Sequence, residues 1–178
     1  MKKSSFLRYG FFFVSFFQLQ YSIAQTNIAN LQNADTQLAD SFYSLGQWKA
    51  AIPAYEVALK KDVSNSLAWN RLGYSYHNTG EYAKAISAYQ KSLGNQPFPQ
   101  LKTVVQSRMS RSYALMQKKN ESLIWLDSAT KNGYANLKEM DSLRDYDFIR
   151  NESDFKAFYN RAYNIAYPCM SDPRARQF

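Results

Sequence analysis

Apolar and small residues along the middle of the chain recur three and four positions apart, which places them on one face of a helix. The whole pattern then recurs with a period of 34 residues: GQWKAAIPAYEVAL from Gly46 to Leu59 aligns without gaps on GEYAKAISAYQKSL from Gly80 to Leu93. The matched pairs include Gly46/Gly80, Trp48/Tyr82, Ala51/Ala85, Ile52/Ile86, Tyr55/Tyr89, Ala58/Ser92 and Leu59/Leu93. Upstream of the second segment, Leu72, Gly73 and Tyr76 share the face of another helix, so the pattern predicts helical hairpins. Small residues at Gly73, Ala85 and Ser92 let the two helices of a hairpin approach, and Tyr76, Tyr82 and Tyr89 fill the space between hairpins. Gly80 falls at the turn, where tolerance of positive φ is useful.

Around this pair the signal continues in both directions. Leu38, Ala39 and Phe42 take the places of Leu72, Gly73 and Tyr76 in an earlier unit, with Asp35 where the later one has Trp69. Pro53 lies inside the second helix of that unit, removes a backbone donor and predicts a bend there. After an insertion around NQPFPQL, Met109, Ser110, Tyr113, Ser122, Leu126 and Ala129 take the corresponding positions of a third unit, shifted by three. Gln106 stands in its tryptophan position and Gln117 in its turn-glycine position. Trp69, Leu72-Gly73, Tyr76, Gly80, Ala85, Tyr89 and Pro97 together resemble the tetratricopeptide repeat pattern. The following NGYANLKEMDSLRDYDFIRNESDFKAFYNRA resembles the segment that closes such arrays in bacterial proteins. In it Phe155, Phe158, Ala162 and Ile165 give a last helix its apolar stripe and Ser153 offers an N-cap.

The resemblance implies an all-α chain, an α-α superhelix of about three hairpins over 32–65, 66–99 and 103–133, closed by a capping segment over 134–167. A cap is expected because a terminal hairpin otherwise leaves an apolar face in water. Residues 168–178 read as a tail or linker. Its closing ARQF resembles the entry to an exported β-barrel-like domain, so the alternative reading makes the chain an accessory module in front of a separate activity.

The first residues change the picture of compartment. Lys2, Lys3 and Arg8 precede the apolar run from Tyr9 to Phe17, which Ser22-Ile23-Ala24 follows. This is the layout of a secretory leader over 1–24 with cleavage after Ala24 and a short lead-in over 25–31. The apolar run is too short for a spanning helix, so no stable membrane anchor is expected once the leader is removed. A periplasmic or secreted location follows. Loss of the leader takes away three positive and no negative charges, reducing the net charge from +8 to +5. Export and the interspersion of lysines and arginines with acids argue against a nucleic-acid partner. Cys169 is the only cysteine and cannot form a disulfide within the chain.

Candidate chemistry is sparse. One histidine and one cysteine do not make a zinc site of the His/Cys kind, and neither a metal nor another cofactor is expected. His77 would act as a base only if a nucleophile faced it, and Asp127, Asp141, Asp145, Asp147 and Asp154 read as turn or capping residues. The chain is therefore read as a protein- or peptide-binding scaffold, not an enzyme. The resemblance implies that the first helix of each unit lines a concave groove. The register assigns Asn33, Thr36, Gln37, Asp40 and Tyr43 to it from the first unit, Asn70, Arg71, Tyr74, His77 and Asn78 from the second, and Ser107, Arg108 and Arg111 from the third. Relatives that grip a terminal carboxylate place Lys and Asn where Thr36 and Asp40 stand, so that clamp is not carried over. Arg71, Arg108 and Arg111 beside Tyr43 and Tyr74 instead suggest a partner with acidic groups; the bland alternative is that these arginines solubilise the helix faces.

Overall fold

The computed structural model describes residues 35–168. The leader, the lead-in, Asn33 and Cys169 lie outside the described residues. Among those described, the chain is helical throughout and contains no strand. Residues 35–44 are helical (α1) and are followed by α2 (Trp48–Lys61), α3 (Ser66–Asn78), α4 (Tyr82–Gly94), α5 (Pro99–Leu115) and α6 (Lys119–Lys131). A short α7 (Leu137–Ser142), a 3-10 turn (Arg144–Tyr146) and α8 (Ser153–Ala166) complete the described residues. None of their helices is long and apolar enough to cross a membrane.

α2 and α4 bury the stripes that their spacing predicts, whereas in α1 Ala39 is buried but Leu38, expected in the place of Leu72, is exposed. In α2 the buried residues are Ala51, Tyr55, Ala58 and Leu59, and in α4 they are Ala85, Ile86, Ala88, Tyr89 and Ser92. Asn65 caps α3 by accepting the Ala68 amide at 2.9 Å, satisfying one of the donors that a helix start leaves open. The two helices of the second hairpin approach closely at Gly73, where an added Cβ would lie 2.6 Å from two carbons of the Tyr89 ring. Only a hydrogen fits there, and Tyr89 is consequently fully buried. The α1–α2 and α3–α4 turns place Gly46 and Gly80 at φ +68° and +82°. The α5–α6 turn asks the same of Gln117 at φ +58°, a conformation that costs a non-glycine residue on the order of 1 kcal/mol. Pro53 falls at the sixth position of α2, and the helix continues to Lys61. Both Pro53 and Lys49, the residue whose carbonyl loses its donor, are exposed, so water can serve the orphan carbonyl.

The array has two cores. One joins α1 to α5 through Ala39, Tyr55, Leu72, Tyr76, Tyr89, Val105 and Met109. The other joins α6 to the closing segment through Leu126, Tyr134, Met140, Tyr146, Ile149, Phe155 and Ala162. Between them, α5 and α6 are linked through serines: Ser122 Oγ donates to the Ser110 carbonyl at 2.8 Å. Two expectations for the last helix change. Glu152, not Ser153, is the N-cap of α8, in extended geometry and with no side-chain cap bond; its carboxylate accepts from Lys119 Nζ at 3.2 Å. Ile165 stands exposed at the end of the apolar stripe, while Phe155 and Ala162 are buried.

Candidate functional site on the inner face

α3 presents different chemistry on its two sides. Leu72 and Tyr76 face the core, and roughly half a turn around the helix Asn70, Arg71, Tyr74 and His77 face α1 and α5. Tyr43 on α1, Trp48 on α2 and Tyr74 on α3 form a triangle of rings, with centroids 5.4 Å apart for Tyr43–Trp48, 5.8 Å for Tyr43–Tyr74 and 5.4 Å for Trp48–Tyr74. The row continues through His77, stacked on Tyr74 at 6.0 Å, to Tyr82. This places aromatic faces where cations can lie.

The three arginines of the sequence reading meet at this row. The Arg108 guanidinium lies 4.0 Å from the centroid of Tyr74 and Arg111 lies 5.8 Å from it, while Arg71 lies 5.6 Å from Tyr43. Their partners set them apart. Arg71 pairs with Asp40 Oδ2 at 2.5 Å, and Tyr55 donates to the other oxygen of that carboxylate at 2.6 Å. Burial and the Asp40 hydrogen bond raise the Tyr55 hydroxyl well above its ordinary range. Arg111 is 5% exposed and pairs with Asp145 Oδ2 at 2.7 Å, with Glu139 at 4.0 Å. Burial alone would lower the Arg111 pKa, but Asp145 reverses that and holds the guanidinium firmly charged. Arg108 donates to Asn70 Oδ1 at 3.0 Å and to the Tyr43 hydroxyl at 3.4 Å. Among the described residues it pairs with no carboxylate.

Asp145 was read from the sequence as a turn acid, and its position rearranges the groove. The 3-10 turn docks on α5, with Tyr146 buried and its hydroxyl donating to the Ser107 carbonyl at 3.4 Å. Asp145 Oδ2 then accepts from His77 Nε2 at 3.0 Å as well as from Arg111. Burial pushes its carboxyl up, but the His77 hydrogen bond and the Arg111 charge outweigh this and bring it down to about 2. Nδ1 of His77 meets Ser112 Oγ at 2.9 Å. A serine, a histidine and an aspartate are thus in sequence, but Ser112 is fully buried and its Oγ also donates to the Arg108 carbonyl at 3.0 Å. The three side chains tie α3, α5 and the closing segment together.

The expected groove residues therefore fall into two sets. Asn70, His77, Ser107 and Arg111 are buried rather than open: the closing segment meets His77 and Arg111 with Asp145 and Ser107 with Tyr146, and Asn70 lies against Arg108. Gln37, Asp40, Tyr43, Arg71, Tyr74, Asn78 and Arg108 remain exposed or half-buried, as does Thr36, whereas Asn33 lies outside the described residues. Trp48 joins the open set, and the sequence reading missed it: its place in the repeat alignment marked it only as a packing aromatic. No cluster of metal-ligating side chains occurs among the described residues.

Residues 36–99 match the tetratricopeptide repeat family model, which supports that family for the first two hairpins. Among solved structures the chain is similar to MamA, with a TM-score of 0.65 and 13% identity over 85% of this chain and 88% of that one. It is also similar to the N-terminal domain of stress-induced protein-1 (STI-1) from C. elegans, with a TM-score of 0.54 and 14% identity over 75% of this chain and 96% of that one. At these identities the likeness is one of fold. No curated protein matches the chain.

Proposed function

We propose that the chain is an exported protein- or peptide-binding scaffold whose inner face receives an acidic group of its partner at Arg108. The repeat fold supports a binding role, and the observation that carries the site is the pairing pattern of the arginines. Asp40 and Asp145 neutralise Arg71 and Arg111 internally, leaving Arg108 as a guanidinium oriented by Asn70, stacked on Tyr74 and without a carboxylate among the described residues. A guanidinium fork in that setting suits a carboxylate, and the rings of Tyr43, Trp48 and Tyr74 offer contact area with little rotamer entropy to lose. Export rests on the leader, and cleavage after Ala24 is tested by the intact mass of the exported protein.

The experiment is capture from a periplasmic or secreted fraction on the immobilised mature chain, followed by titration of the captured partner. Arg108→Ala is expected to weaken binding by roughly 1–3 kcal/mol with the helical circular dichroism unchanged. Unchanged affinity in that variant would remove the inner face from the reading.

A further inference from the structure

The outer side of the first two hairpins carries a second feature. A cavity of about 460 Å³ lies between α2 and α4, with α3 beneath it. Its floor is apolar: Leu59, Leu72 and Ala88 are buried there, and the rings of Trp69 and Tyr76 form part of the wall. Val63 stands at one end, 66% exposed. The rim is cationic. Lys60 comes from α2, and Lys84 and Lys91 from α4; Lys91 Nζ lies 4.3 Å above the Trp69 ring and Lys84 Nζ 5.4 Å from that of Tyr76. Lys84 is matched by Glu81 at 2.6 Å, whereas Lys60 and Lys91 form no ion pair among the described residues. The one acid lining the cavity, Glu56, is engaged by the Tyr76 hydroxyl, which donates to it at 2.5 Å.

We infer that this outer groove is a second docking site, taking an acidic partner peptide that places an apolar side chain on the Leu59–Leu72 floor between carboxylates directed at Lys60 and Lys91. Charge chooses the occupant. A second copy of this chain carries a net positive charge and is repelled. Residues 1–34 contain no Asp or Glu, and residues 169–178 set one Asp against two Arg, so the chain's own remaining segments lack the required acids. The spread of cations separates a peptide from a single-headed amphiphile. The ammonium groups stand on both walls, and Lys84 and Lys91 are seven residues apart on α4, roughly 10 Å along the axis. Several anionic groups with apolar matter between them match that layout, and a fatty acid has only one. The volume is of the size that accepts a side chain or two of a ligand. This site is independent of the inner-face reading, since its lining includes none of Arg71, Tyr74, Arg108, Arg111 and Asp145.

The test uses the mature chain and the fluorescein-labelled peptide Asp-Glu-Leu-Phe-Glu-Asp, titrated by fluorescence polarisation, with Trp emission recorded in parallel and laurate as competitor. The site predicts saturable binding that Lys60→Glu and Lys91→Glu each weaken roughly ten-fold and that added salt weakens. Both lysines are exposed, so the two variants are expected to fold, which circular dichroism checks. Loss of peptide binding in Arg108→Ala with no effect of the lysine variants would move the site to the inner face and overturn the inference. Laurate binding without peptide binding would make the groove an amphiphile site and overturn it equally, as would binding of neither probe.

Discussion

The two sides of α3 carry similar cations to opposite ends. On the inner side, two of the three arginines are answered from within the molecule, Arg71 by Asp40 and Arg111 by Asp145, which leaves Arg108. On the outer side Lys60 and Lys91 stand at the rim of an apolar cavity with no carboxylate of their own. The difference follows from depth. A guanidinium buried to the extent of Arg111 is costly unless paired, so the fold supplies a partner, whereas an ammonium on a flexible stem at the surface is kept by water. A face whose deeper cations are satisfied internally is preorganised and selective about what it adds at the one left over; a face with solvated cations is open to any acidic segment that fits the floor.

Tyr89 joins the two faces and gives the largest expected effect. Its ring sits against Gly73 beneath the inner arginines, and it belongs to the same core as Leu59 and Leu72 of the outer floor. Tyr89→Ala removes a fully buried aromatic ring and is expected to cost about 3 kcal/mol in chemical denaturation. Both binding activities should then weaken together. A cost below about 0.5 kcal/mol would place the ring outside the core and undo the common support of the two faces.

Asp145 concerns the inner face alone. Asp145→Asn leaves Arg111 buried without its nearest anion, and the expected loss of stability is about 2 kcal/mol, with outer-groove binding unchanged. The same group gives a pH dependence. Its folded carboxyl is held at about 2, below the ordinary value near 4. A depressed carboxylate stabilises the fold fully above the unfolded value, and that contribution is lost as pH falls from about 4 through about 2. Acid titration of unfolding should show this loss in the wild type and a shallower one in Asp145→Asn. Equal acid sensitivity of the two would remove Asp145 as the inner latch.

How these two faces were legible in the sequence differs for a physical reason. The hairpins and their cores could be read, because Leu72, Gly73, Tyr76, Ala85 and Tyr89 lie at helical spacings and repeat with the period of the array. The meeting of Arg71, Arg108 and Tyr74 also followed from that register, since stacked hairpins bring equivalent positions side by side. Asp145 did not follow: it lies 68 residues from His77 in a segment outside the period, and no spacing rule links them. The bonding of Glu152 to Lys119 escaped for the same reason. The outer cavity combines residues read as packing, Leu72 and Tyr76, with lysines that were given no role, and only the gap between two neighbouring outer helices turns them into a site.

Within the inner face, Arg71 and Arg108 should differ. Arg71 already holds Asp40, so Arg71→Ala frees a carboxylate beside the site as well as removing a cation. Against an acidic partner, Arg108→Ala is expected to lose roughly 1–3 kcal/mol directly. In Asp40→Asn/Arg71→Ala, where the freed carboxylate is gone, the loss should fall below about 1 kcal/mol. A larger loss in the double variant than in Arg108→Ala would make Arg71 the primary anion contact and reverse the assignment.

The smallest expected effect tests whether the buried side of the inner face is polar at all. The Tyr89 hydroxyl is buried and has no hydrogen-bond partner among the described residues; burial pushes its pKa up, with the charges of Arg108 and Arg111 pulling against that. An unpartnered hydroxyl has lost its hydration without compensation, so deleting it costs nothing in hydrogen bonding, and the phenyl ring that remains keeps the contact with Gly73. Tyr89→Phe is therefore expected to change stability by less than about 1 kcal/mol, on the stabilising side, and to leave both binding activities as they are. The pair Tyr89→Ala and Tyr89→Phe separates ring from hydroxyl. If Tyr89→Phe were to destabilise by more than about 1 kcal/mol, the hydroxyl would have to be bonded to a buried water shared with the arginines, since water is the partner that a polar interior of that kind holds. The inner face would then extend to the Tyr89 hydroxyl, and its contrast with the apolar floor of the outer groove would become sharper.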